Sequence, residues 1–269
     1  MANSTTTNIL TSLMLPTVPG ALPDGLLPTE QLASPVPVKL RVWDGARPGY
    51  TYQLLWDGEP IGPLKTLANE PPGTELALEI PVSNLTEGSH RIAYEIMNPV
   101  NMRLDQSGTT QIQIDRTAPG APQLAPIIFP EVIQNGLTSS ELEGLNNILP
   151  GKIAGYTGMA AGDEIRTYWG PIEGPMTIVD ANDMGLNRVM VDFTRTFMEQ
   201  ADGLNASVTY TVTDRAGNVS MVSDPVMIQL QLATLQPLPV PVIREAKGQT
   251  LDPADAVNGP TLVIDTTAD

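Results

Sequence analysis

The stretch TVTDRAGNVS, residues 211–220, packs Asp214, Arg215 and Asn218 into five positions. A carboxylate, a guanidinium and an amide that close together have the makings of a metal or proton-transfer site. They also have the makings of a hairpin tip: Gly217 takes a positive φ cheaply, Asn218 tolerates one, and an Asp side chain accepts from the N–H groups of its own turn. The strand-like residues on either side favour the turn. Asp214, Gly217 and Asn218 are therefore read as structural, with Arg215 projecting into solvent.

Other routes to catalysis are thin. His90 is the only histidine, and cysteine is absent. That excludes thiol nucleophiles, zinc–thiolate sites and disulfides. No Gly-x-Ser-x-Gly elbow offers a serine nucleophile its strand-to-helix setting. His90 follows Gly88 and Ser89 at the start of RIAYEI and reads as a surface histidine at a strand edge. Glycoside hydrolysis needs two carboxylates about 5–10 Å apart, but 30 acidic residues supply such pairs on any acidic surface. Aromatic residues make up 4% of the chain, too few for the stacking platforms of an ordinary sugar site. No phosphate-cradling glycine loop opens a helix. The chain is expected not to be an enzyme.

Metal binding has two candidates. DANDMG, residues 180–185, begins like a calcium loop, but Val191 stands where an EF-hand needs a bidentate Glu. A looser cluster of Asp180 and Asp183 remains, against a plain polar turn. The second candidate is a junction site. Asp115 ends a strand beside a proline-rich linker, where Asp105 or Asp163 would approach, and calcium there would stiffen the chain by neutralising carboxylates that repel. No other cofactor is expected.

What must position these residues is legible in composition and periodicity. Twenty-six prolines and 23 glycines break the chain too often for a helical bundle and suit short strands joined by turns. With 41% apolar residues a buried core is available. The net charge of −16, from 14 basic and 30 acidic residues, repels nucleic acid and anionic membrane surfaces. No run approaches the ~20 apolar residues of a membrane-spanning helix. The opening ILTSLML has no preceding Lys or Arg and does not make a Sec signal peptide.

Landmarks recur in order. GLLPTEQL from Gly25 returns as GLTSSELEGL from Gly136 and as GQTLDPADAV from Gly248. Trp56 and Trp169 lie 113 residues apart, and Tyr94 and Tyr210 lie 116 apart. TTQIQID (109–115) returns as PVMIQLQL (225–232). The chain reads as two copies and part of a third of a unit of about 112 residues. Each unit alternates with period 2: Leu76, Leu78, Ile80 and Ile92, Tyr94, Ile96 in the first; Val189, Val191, Phe193 and Val208, Tyr210, Val212 in the second; then Val226, Ile228, Leu230 and Leu232. One face is buried and the other wet, as in a sandwich. About seven such strands per unit predict an all-β fold of tandem immunoglobulin-like β-sandwiches, with a β-barrel as the alternative. Trp56, Trp169, Tyr94 and Tyr210, at matching positions, are expected in the cores. Trp43 has no counterpart and is the expected contact residue. Short helices are expected at 139–147, capped by Ser139 or Ser140, and at 194–203, ended by Gly203.

VTDRAGNVS (212–220) resembles the end-of-domain hairpin of bacterial Ig-like repeats, where Asp-x-Ala-Gly-Asn-x-Ser recurs. IDRTAPGAP (114–122) resembles their junction. The resemblance covers about residue 25 to the end, and the first unit departs from it, with IMNPVNMRL (96–104) in place of the DRAGN tip. Such repeats build stalks in large surface adhesins and biofilm-associated proteins. The resemblance implies an extracellular or cell-surface structural and adhesive role, with an unidentified protein or glycan partner and further repeats of the same kind. A carbohydrate- or protein-binding module, or accessory domains of a larger secreted enzyme, are the alternatives. The expected division is an N-terminal extension (1–24), sandwiches at 25–117 and 118–236, and a truncated third repeat at 237–269. That third unit has too few strands to bury a core, so the chain is expected to be part of a longer array.

Overall fold

Proline and glycine spacing leaves room only for short strands, and short strands are what the computed structural model contains. It describes residues 8–9, 13–133, 136–201, 205–232, 242–243 and 261–263. The first sandwich comprises β1 (Asn8–Ile9), β2 (Leu26–Leu27), β3 (Val36–Arg41), β4 (Thr51–Trp56), β5 (Glu59–Thr66), β6 (Glu75–Ile80), β7 (Gly88–Asn98), β8 (Arg103–Gln106) and β9 (Thr110–Ile114). The second has β10 (Leu137–Thr138), α1 (Ser139–Gly144), β11 (Ile148–Ala154), β12 (Glu164–Trp169), β13 (Ile172–Ile178), α2 (Ala181–Leu186), β14 (Arg188–Thr194), α3 (Arg195–Gln200), β15 (Asn205–Thr213) and β16 (Val226–Gln231). A separate pair, β17 (Val242–Ile243) with β18 (Leu262–Val263), is antiparallel. Most of the expected third repeat lies outside the described residues.

In each sandwich β4 or its counterpart β12 pairs on one side with the following strand and on the other with β7 or β15. The opposing sheet is β3 with β6, or β11 with β14. A single bridge extends each small sheet, Thr17 to Lys39 in one and Ile128 to Lys152 in the other. The chain then crosses sheets, so that β2 lies parallel to β9 and β10 parallel to β16. The repeat therefore holds at the level of register. Val36 opposite Ile80 recurs 113 residues on as Leu149 opposite Phe193. Trp56 opposite Ile92 recurs as Trp169 opposite Val208. The fold is all-β, two immunoglobulin-like sandwiches in tandem, and each sheet is open rather than closed into a barrel.

Alternation builds two separate cores. One holds Leu54, Trp56, Leu78, Ile80, Ile92, Tyr94, Ile112 and Ile114 among others. The other holds Ile165, Trp169, Val191, Phe193, Val208, Tyr210 and Val212. The first also takes in Leu13 and Val18, ahead of the Gly25 at which the repeat pattern starts the unit. Trp43 is buried as well, edge-on to Tyr50 at 5.7 Å. A missing repeat counterpart left it looking like a contact residue, whereas the loop after β3 folds it inward. The aromatic core of the second sandwich is denser, with Trp169, Phe193 and Phe197 within 6.0 Å of one another.

The helices are short and set by caps. α1 is capped by Thr138, not Ser139 or Ser140, in a reciprocal box with Glu141. α3 starts from Thr194 and ends at Ala201; Gly203 is outside the described residues. α2 occupies the stretch with the calcium-loop look. There Asp180 accepts from the Asp183 N–H at 2.8 Å and Asp183 accepts from the Asp180 N–H at 3.0 Å. Both carboxylates are engaged in capping, the ordinary use of Asp at a helix start, and not in a looser oxygen cluster.

Candidate functional site: the junction between the sandwiches

The tip that joins β15 to β16 is built as a turn and used as a hook. Gly217 has φ +93°, and only a glycine meets that cheaply. Asp214 Oδ1 accepts from the Asn218 N–H and Oδ2 from Asn218 Nδ2, both at 2.8 Å. The Asp214 N–H donates back to the Asn218 carbonyl at 3.0 Å. The turn conformation rests on Gly217 alone, since Asn218 is not among the positive-φ residues.

The outside of the turn engages the first sandwich. The Thr29 N–H donates to the Ala216 carbonyl at 2.8 Å, and Asn218 Nδ2 donates to the Asp115 carbonyl at 3.1 Å. Arg215 Nη2 meets Asp24 Oδ2 at 2.7 Å, holding the Asp24 carboxyl below its usual range. Arg215 thus reaches across the junction while remaining exposed to solvent, and Ala216 is buried. The Cβ of any larger residue at 217 would stand 3.1 Å from Thr29 Oγ1.

Behind this contact lies a cleft of about 260 Å³ lined from both sandwiches, by Leu26, Asp115 and Thr117 on one side and Asp163, Asp214 and Arg215 on the other. Asp163 is fully buried. Its Oδ2 accepts from the Tyr156 hydroxyl at 2.8 Å and the Ala160 N–H at 3.0 Å, while Oδ1 has no partner. Burial pushes the Asp163 carboxyl up and the charges of Asp214 and Asp115 push it further, against those two hydrogen bonds. Burial and the bond to Asp163 push the Tyr156 hydroxyl up in turn.

Of the three carboxylates expected at a junction metal, Asp115 and Asp163 line this one cleft. Asp105 stands apart, its Oδ1 held by Arg103 at 3.0 Å within β8. Asp214, read from sequence only as a turn residue, is the third carboxylate here. The repeat alignment held a signal for it: the tip of one unit faces the end of the unit before it. The donors are the oxygens a hard cation takes, and the orphaned Asp163 Oδ1 is an atom such a cation would satisfy. Yet no group of three or more His, Cys, Asp or Glu among the described residues is placed to hold a metal.

No family model and no curated protein matches the chain. Solved structures do. A 1.5-MDa bacterial ice-binding adhesin aligns at 17% identity over 81% of this chain and 65% of that one, with a TM-score of 0.43. The FN1–FN3 domains of chicken CNTN1 align at 12% over 82% and 65%, TM-score 0.36. A tetra-tandem repeat from the extending region of a large adhesion protein aligns at 13% over 80% and 48%, TM-score 0.31. The chain therefore spans just under two thirds of the length of the first two and about half of the third. With TM-scores below 0.5 these likenesses carry no argument, and the fold stands on the strand pairing above.

In the first sandwich the position of the hook is taken by Pro99, Val100 and Met102, which lack its side-chain donors. Val100 is 91% exposed and Met102 67%, whereas Ala216 at the equivalent place is covered. Trp56, Trp169, Tyr94 and Tyr210 lie in the cores at matching positions. Two serines that sequence reasoning passed over share a role. Ser107 Oγ accepts from the Tyr94 N–H and Ser223 Oγ from the Tyr210 N–H, each at 3.0 Å, at positions of β7 and β15 outside the registers paired with β8, β9 and β16.

Proposed function

We propose that the chain is a structural segment of a bacterial surface or secreted protein, in which two sandwiches are held in series as a stalk and present their outer surfaces for adhesion. The observation that carries this reading is the junction. Three polar contacts, from Arg215, Ala216 and Asn218 to Asp24, Thr29 and Asp115, tie the tip of one sandwich to the end of the other. Side chains aimed across a boundary from both sides set an orientation, whereas a plain flexible linker needs none of them. The proline-rich run between the sandwiches adds stiffness.

A junction cation belongs to the same reading. Asp163, Asp115 and Asp214 line one cleft but are not drawn together as a ligand set, so calcium there would have to pull the three carboxylates closer as it supplied the positive charge that the buried Asp163 lacks. Small-angle scattering of the whole chain and of the Arg215→Ala, Asn218→Ala double variant tests the stalk. The wild type should show one extended shape and the variant a broadened set of shapes. Identical profiles would remove its basis. A glycan array with reproducible hits would instead favour the binding-module alternative.

A further inference from the structure

Methionine is distributed against its chemistry. It is a soft, apolar side chain that ordinarily fills cores. Among the described residues one methionine, Met198, lies in the buried core, whereas Met14, Met102, Met176, Met184, Met190, Met221 and Met227 are 40–69% exposed. Leucine, of similar size, goes the other way, with 17 buried and five exposed among the described residues. Single apolar residues scattered over a surface are ordinary. Sorting by type, with sulfur outward and branched hydrocarbon inward, is not.

The seven are spread over both sandwiches, on strands, a helix and turns. Met190 shares the wet face of β14 with Arg188 and Asp192, and Met227 shares that of β16 with Gln229 and Gln231. Met176 is exposed on β13, in register with Arg166. Period 2 calls for a polar residue at each of these places. Met102 holds a left-handed conformation, φ 56°, at the tip of the first sandwich, where Gly or Asn would be less strained. None of the seven is among the residues that tie the sandwiches together. What a thioether offers at a wet position, and leucine or glutamine does not, is a sulfur that oxidants attack. Other oxidisable groups are sheltered or missing: the chain has no cysteine, and Trp43, Trp56 and Trp169 are buried.

We propose that the outer methionines are a sacrificial oxidation site, taking oxygen from two-electron oxidants HO–X, a peroxide or a hypohalous acid, ahead of the two cores. The S–O bond forms as the O–X bond breaks. Sulfur gives up two electrons, and X leaves as its anion with the released proton. Each thioether takes one equivalent and becomes a sulfoxide, which is polar. In a core that change disrupts packing. On a wet face the new oxygen is hydrated and the fold is kept. The exposed sulfurs thus consume oxidant without touching either core or the contacts of the junction. The proposal is separate from the stalk: a chain with a loose junction would keep it.

The test adds hypochlorous acid to the whole chain, equivalent by equivalent, with peptide mass spectrometry and calorimetric melting at each step. Sulfoxide should appear first at the seven outer positions, with Met198 and the tryptophans intact and the melting temperature unmoved. Replacing all seven by leucine (Met14→Leu and its six counterparts), an exchange close in volume, should leave the untreated fold as stable as the wild type. That variant should then lose its melting transition at a several-fold lower dose. Glutamine at the same positions, polar and without sulfur, is the second variant and should behave alike. Oxidation of Met198 or a tryptophan in step with the outer methionines would overturn the proposal. So would a melting temperature that falls as the outer sulfoxides form, or sulfur-free variants that withstand the same dose as the wild type.

Discussion

Asp163→Asn inverts the usual expectation for a buried carboxylate. Asp163 Oδ2 is satisfied by Tyr156 and Ala160, and its Oδ1 is buried with no partner. An asparagine keeps the shape, leaves its carbonyl oxygen where Oδ2 accepts, and removes a negative charge that burial and the charges of Asp214 and Asp115 disfavour. Burying a charge that is incompletely hydrogen-bonded is costly, so the neutral variant should be more stable at pH 7 by about 1 kcal/mol, or roughly 4–8 °C in the melting temperature of a domain this size. The pH dependence fixes the sign independently. The folded pKa is raised above its reference of 3.8, so the folded state binds this proton more tightly than the unfolded chain does. Wild-type stability should therefore gain from this group as pH falls from 7 through the folded pKa, levelling off near the reference value, and Asp163→Asn should lack that gain. The assay is calorimetric melting at steps from pH 7 down to the reference value of 3.8 in EDTA. A variant less stable than wild type at pH 7, or an acid-side gain equal in both proteins, would refute the reasoning. Repeating the melts in millimolar calcium tests the junction cation: the wild type should gain stability and Asp163→Asn should not. No change in the wild type means the cleft holds no calcium.

Further perturbations probe the turn and the serine bridges. Gly217→Val combines a left-handed backbone, which costs an L residue about 1–2 kcal/mol, with a side chain pressed on Thr29. It should lower the melting transition of the second sandwich and loosen the junction as well, and an unchanged melting temperature would contradict the turn geometry. Ser223→Ala strips the Tyr210 N–H of its acceptor in a buried place and should destabilise the second sandwich by about 1–3 kcal/mol. Ser107→Ala should do the same to the first, in urea titrations read sandwich by sandwich from amide signals.

What could be read from sequence and what could not divide along a physical line. Strand faces depend on neighbours two residues away, so Leu76, Leu78 and Ile80 or Val208, Tyr210 and Val212 announce their burial locally. The repeat carried further, placing Trp56 and Trp169 in matching registers. The DRAGN turn was also local, because Gly217 needs only its own backbone angles. The junction was half legible. Asp115 and Asp163 were suspected of meeting near the linker, but Asp105 was grouped with them because sequence does not show that Arg103 holds it. Asp214 escaped because its turn already explained it, and one carboxylate can serve both a turn and an interface. Trp43 was misjudged because its burial comes from the loop after β3 and from Tyr50, contacts that carry no periodic signal. α2 was passed over as a polar turn, though the reciprocal Asp180–Asp183 cap was spelled out at the spacing a helix start requires.

The central claim is that the junction sets one orientation between the sandwiches. The absence of native cysteine makes paired spin labels clean to introduce. Glu79→Cys and Asp192→Cys put them on exposed, repeat-equivalent positions of β6 and β14. Pulsed electron–electron distance measurement between them should give one narrow distribution, broadened when Arg215→Ala and Asn218→Ala are added. A broad distribution already present with the junction intact would contradict the account.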